Sequence, residues 1–156
     1  PGPLIVIGHS LGGLLARLLG ANFPEHVSQV VALGSPLNVS SPESVHPFVR
    51  SAFQLLEPLR RLRGQPFLRC GSTECTCRFA KTAFTTLPST VQFTSIFSKS
   101  DEVVNWHAAI DPNGNNIEVS GRHLGLIVNR EVYRAVARVL TTNVKRSDQP
   151  LMQAQA

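Results

Sequence analysis

The sequence predicts an α/β protein with a mostly parallel sheet of about four strands flanked by helices. Two observations carry that expectation. Leu4, Ile5, Val6 and Ile7 are consecutive branched apolar residues, the pattern of a parallel strand buried on both faces. Leu11, Leu14, Leu15, Leu18 and Leu19 then recur at helical spacing, and Val27–Leu33 (VSQVVAL) returns to strand character. Strand, helix and strand in that order imply a right-handed crossover between parallel neighbours.

Gly8, His9, Ser10, Leu11 and Gly12 form a G-x-S-x-G sequence between the first strand and the helix. A serine on so sharp a turn takes a strained backbone conformation and lifts its hydroxyl clear of the sheet. Gly8 and Gly12 are expected to be glycine because side chains there would collide. The helix directs its open amide groups toward the same point, so the backbone NH of Leu11 is the candidate oxyanion donor. GHSLGG between an apolar strand and a leucine-rich helix resembles the nucleophile elbow of the α/β-hydrolase superfamily, in the form common among lipases and carboxylesterases.

Further along, Asn22-Phe23-Pro24 closes the first helix and Gly34-Ser35-Pro36 ends the second strand. From residue 37 to 90 the rhythm is interrupted. Val45, Phe48, Val49, Ala52, Phe53, Leu56 and Leu59 follow helical spacing, with Pro58 as a kink and Gly64 as a stop. The position resembles that of cap insertions in hydrolases of this superfamily, which implies a helical lid over an acyl pocket; an ordinary core-packing helix reads equally well from the periodicity. Val91–Ser98 is the third strand, Asp111-Pro112-Asn113-Gly114 a turn, Asn116–Ser120 a short fourth strand, and Asn129 the N-cap of a closing helix through Leu140. The catalytic domain is expected to span residues 1–143, with 144–156 a disordered tail.

In the resembled superfamily the acid and then the histidine follow the nucleophile along the chain. Of the five histidines, His9 lies in the elbow, His26 and His46 precede every acid loop, and His107 follows Asp101 too closely. His123, after the fourth strand and before the last helix, is the expected base. Asp101 directly follows the third strand, and Ser98–Val104 (S-x-S-D-E-V-V) is similar to the acid loop of bacterial lipase-like hydrolases. Glu102 is the close competitor, and Asp111 reads as a turn former.

The resemblance implies a Ser10–His123–Asp101 serine hydrolase acting on carboxylic, lipid-type esters without metal or organic cofactor. Thioester hydrolysis and acyl transfer use the same residues. It covers only the second half of the family's sheet, so the N-terminal half of the fold, with the second oxyanion donor, is expected to be missing. A non-catalytic hydrolase-like module that binds a partner, such as that missing half, is the alternative.

Composition bounds the remaining classes. With 42% hydrophobic residues in 156, one domain with a sizeable core is expected. No run approaches the roughly 18 apolar residues of a membrane span. The net charge of +5 is scattered through Arg60, Arg61, Arg63, Arg69, Arg78, Lys81 and the region from Arg130 to Arg146, without the aromatic-basic platform of nucleic-acid binders. A solvated basic surface fits it better, open to an anionic membrane surface or an acidic partner. Cys70, Cys75 and Cys77 lack zinc-like spacing; a loop disulfide and free thiols both remain open.

Overall fold

A computed structural model of the chain describes residues 2–38 and 86–147, with the backbone alone for 142–147. The expected lid and the three cysteines lie outside the described residues, except for the ends of the lid segment at 37–38 and 86–90.

Four strands, β1 (Leu4–His9), β2 (Val27–Leu33), β3 (Gln92–Phe97) and β4 (Asn115–Glu118), form one sheet in the order β1-β2-β3-β4. Each neighbouring pair is parallel, with Ile7 opposite Val31, Ala32 opposite Ser95, and Ile96 opposite Ile117. Helix α1 (Leu11–Asn22) connects β1 to β2, and helix α2 (Arg130–Ser147) closes the described chain.

Side-chain alternation along β2 divides the core between the two faces of the sheet. Val30 and Ala32 pack with Leu14 and Ala16 of α1 and with Phe93. Val31 and Leu33 point the other way and join Ile96, Leu126 and the α2 residues Val132, Ala135 and Val139. Every residue of β2 but Ser28 is buried, which is why it reads as a nearly continuous apolar run.

Three expectations are corrected. β1 is not buried on both faces: Leu4, Ile5 and Ile7 are exposed, because among the described residues β1 is an edge strand paired only with β2. The leucine stripe is not the buried face of α1 either. Leu11, Leu15 and Leu19 are exposed, and the sheet side is made by Gly13, Leu14, Ala16, Arg17 and Gly20. Small residues win that face because the helix lies close to the sheet: a Cβ on Gly20 would come within 2.9 Å of Val30 Cγ2. Finally, α2 continues to Ser147, so the tail boundary expected after Asn143 falls inside a helix. No proline or glycine lies between Asn143 and Ser147 to interrupt its hydrogen-bond ladder.

The buried Arg17 pairs with Asp111, at 2.5 Å, and its guanidinium lies over the Phe93 ring. Asp111 is also the expected turn former, since its Oδ1 accepts the Asn113 NH at 2.8 Å. One carboxylate thus shapes a turn and neutralises an arginine 94 positions away.

Candidate active site

Parallel strands bring their carboxyl ends to one edge of the sheet, and the loops that leave this edge carry the candidate residues. Ser10 follows β1, Asp101 follows β3 and His123 follows β4.

Ser10 is the one non-glycine residue with positive φ among the described residues, at φ 55° and ψ −123°. For a residue with a Cβ this conformation is costly, and here it is held by neighbours. The Ser10 NH donates to Leu33 O at 2.8 Å, and Ser10 O accepts the Gly13 NH at 3.0 Å as α1 begins. Among the described residues no side chain caps α1, so the Leu11 amide belongs to the open amino end of the helix, where negative charge is favoured.

The glycines of the turn divide differently from expectation. Gly8 is required, because a Cβ there would lie 2.1 Å from Gly12 O. At Gly12 a Cβ meets nothing within 4 Å among the described residues, so the expected collision is absent there. Gly13 takes that role instead, since its Cβ would fall 2.0 Å from Ser35 Oγ and 3.0 Å from Ala32 Cβ. The doubled glycine was the available signal, but only the location of β2 behind the helix decides between the two.

Asp101 and His123 meet as expected. His123 Nδ1 lies 2.7 Å from Asp101 Oδ2, with both side chains buried. The other carboxylate oxygen accepts the backbone amides of Val103 and Val104, at 2.8 and 2.9 Å, which fixes the plane of the acid. Burial pushes the Asp101 carboxyl up, but the hydrogen bonds from His123, Val104 and Val103, with the His123 charge, outweigh it and hold it below its ordinary value. An Nδ1 proton committed to a carboxylate leaves Nε2 of the neutral imidazole as its basic lone pair. Ser10 Oγ makes no hydrogen bond to that ring among the described residues; such contacts are often long before substrate binds.

Glu102 also reaches His123, at a different atom: its Oε2 accepts the His123 backbone NH at 3.2 Å. His9 approaches from β1, with Nε2 3.0 Å from His123 O and its ring centroid 4.6 Å from the His123 ring. Burial first, and then the His123 charge, lower the His9 pKa despite opposing contributions from the His123 carbonyl and Asp101.

Gly34 reads from sequence as a strand terminator, yet it floors this site. Its φ is +50°, and a Cβ would lie 2.8 Å from Leu126 Cδ1, 3.0 Å from Asp101 Oδ2 and 3.5 Å from His123 Nδ1. A glycine at the end of a strand signals a turn, but its contact with an acid 67 positions later has no local signature.

The family model of the α/β-hydrolase fold matches residues 1–68. Solved structures extend that likeness through the rest of the chain. The chain has a partial α/β-hydrolase fold. It covers 95% of its own length on mouse α/β-hydrolase domain-containing protein 10, at TM-score 0.55 and 18% identity. On human thioesterase 2 it covers 96%, at TM-score 0.54 and 14% identity. On a carboxylesterase of the thaumarchaeon Nitrososphaera gargenis it covers 93%, at TM-score 0.57 and 18% identity. The chain spans 64%, 76% and 67% of those three structures, respectively. No curated protein sequence matches it. Within this hydrolase fold, the described residues hold no group of three or more His, Cys, Asp or Glu side chains suited to a metal ion.

Proposed function

We propose that the chain carries the catalytic residues of a serine hydrolase that cleaves carboxylic esters, those of lipids in the first instance. The observation that carries this proposal is the buried Asp101–His123 pair, formed across 22 residues of sequence at the sheet edge that also bears the left-handed Ser10. In the proposed reaction Ser10 Oγ attacks the ester carbonyl carbon while His123 Nε2 takes the hydroxyl proton. Asp101 stabilises the imidazolium through Nδ1, and the Leu11 NH donates to the oxyanion. His123 returns the proton to the departing alcohol, leaving an acyl group on Ser10, and water activated by the same imidazole releases the acid. These residues require no metal or organic cofactor.

A second proposal rests on a different observation. Leu4, Ile5 and Ile7 of β1 and Leu11, Leu15, Leu19 and Phe23 along α1 leave an apolar surface exposed. Such a surface fits a module whose task is to bind, with further strands of a hydrolase-type sheet as its occupant.

Treatment with a fluorophosphonate probe separates the two. Serine hydrolase chemistry gives one adduct, located at Ser10 and lost in Ser10→Ala, and Asp101→Asn slows its formation far more than Glu102→Gln. A folded protein that forms no adduct would refute catalysis and favour the binding module.

A further inference from the structure

His123 stands at the head of a single 3-10 turn, Leu124–Val128, whose Leu126 NH reaches the Arg122 carbonyl at 3.1 Å and the His123 carbonyl at only 3.4 Å. His123 lies between Gly121, at φ 123°, and Gly125, where a Cβ would meet nothing within 4 Å among the described residues. Leu124 beside it is 74% exposed, and the first fully buried anchor is Leu126. One short turn holds the base by a single long bond to its carbonyl and none to its NH, so its direction depends on whether both peptide groups are tied down further.

Both are. The His123 NH donates to Glu102 Oε2, and the His123 carbonyl accepts from His9 Nε2, at 3.2 and 3.0 Å. Each partner is the immediate chain neighbour of another candidate triad residue: His9 precedes Ser10, and Glu102 follows Asp101. We propose that His9 and Glu102 are positioning residues, a two-point clamp that grips the backbone of the base from the nucleophile strand and the acid loop. This rests on the hydrolase reading above. The clamp couples three loops that the sheet alone brings only to a common edge. A shift of the base segment stretches a bond to the residue beside the nucleophile and another to the residue beside the acid, so the imidazole keeps its direction. Because the acceptor of the His9 bond is a carbonyl, His9 must carry its proton on Nε2. The ring contact with His123 adds packing but not direction.

The test pairs variants that remove a clamp bond with variants that keep it. His9→Phe retains a ring but loses the donor, whereas His9→Gln returns an amide nitrogen at a similar reach. Glu102→Ala removes the acceptor, whereas Glu102→Gln keeps a carbonyl oxygen and loses only charge. Losing one such bond is expected to lower kcat for a short-chain p-nitrophenyl ester, and the rate of fluorophosphonate labelling, by about three- to tenfold. KM should stay within about twofold, and the glutamine variants should recover most of the rate. The second readout is the ¹H resonance of the His123 Nδ1 proton, which the alanine and phenylalanine variants should broaden or move upfield and the glutamines restore. Unchanged kcat and an unchanged resonance in His9→Phe or Glu102→Ala would overturn the clamp, as would equal losses in Glu102→Ala and Glu102→Gln. A wild-type chain that does not label would defeat the hydrolase reading alone, and the resonance would still decide the clamp. Should His9→Phe fail to fold, His9→Asn, whose amide is too short to reach, must lose the resonance that His9→Gln keeps; equality between them refutes the role of His9.

Discussion

Gly12 and Gly13 are adjacent in the first turn of α1, and alanine should have opposite effects at the two positions. Both substitutions gain helix propensity of about 0.5–1 kcal/mol, so this contribution largely cancels when the variants are compared. What remains is packing. At Gly12 a Cβ meets nothing within 4 Å among the described residues, and Gly12→Ala should match or exceed the wild-type stability. At Gly13 the methyl group would lie 2.0 Å from Ser35 Oγ and 2.8 Å from Ser35 Cβ, and Ser35 is fully buried with its hydroxyl directed to Leu33 O. Neither the serine nor the central strand behind it can withdraw, so the helix must lift, at a cost of about 1–3 kcal/mol by the usual penalty for overpacking. Urea denaturation of the two variants should therefore separate their unfolding free energies by about 1–3 kcal/mol, with unchanged m-values. Lifting α1 also moves the Leu11 amide, so Gly13→Ala should label more slowly with the fluorophosphonate probe than Gly12→Ala. Equal stability of the two variants, or Gly12→Ala as the weaker one, would refute the account of why this turn is rich in glycine.

Two other outcomes follow from the site. Gly34→Ala should cost about 1–2 kcal/mol for the left-handed backbone alone, and more because the methyl group meets Leu126, Asp101 and His123; denaturation monitored with probe labelling should show stability and labelling rate falling together. Stability should also fall on acidification in two windows, both of the same sign. The lowered His9 pKa means that the unfolded imidazole takes a proton more readily than the folded one, so stability declines below the ordinary value of about 6.5. The depressed Asp101 carboxyl contributes stability that is complete above its ordinary 3.8 and is lost as pH falls through the folded value. Replacing His9 by Phe should flatten the upper window and Asp101→Asn the lower one.

Much of the fold was legible because the sheet is parallel. Buried strands read as apolar runs, and the alternation of strand and helix fixed their direction before any contact was known. The candidate triad was legible for a related reason: it depends on chain order and on which loops leave the carboxyl ends of strands, both properties of sequence. What sequence misjudged was the direction in which apolar residues face. The leucines of α1 have helical spacing, but spacing defines a stripe without saying whether the sheet or the free side receives it. The sheet received Gly13, Ala16 and Gly20, together with an arginine neutralised by Asp111, because close approach favours small side chains over large ones.

The same distinction explains why Glu102 looked like a rival to Asp101. From sequence the two acids compete for one imidazole nitrogen, since chain order alone does not tell a ring partner of His123 from a partner of its peptide group. The structure separates them by atom: Asp101 takes Nδ1, while Glu102 takes the peptide NH of the same residue. A histidine presents a backbone donor and acceptor as well as two ring nitrogens, and at the head of a 3-10 turn the NH has no partner within the turn while the carbonyl has only a long one, so side chains complete them. His9 and Glu102 do so here, which gives two residues beside the triad a structural reason to be polar and of sufficient reach.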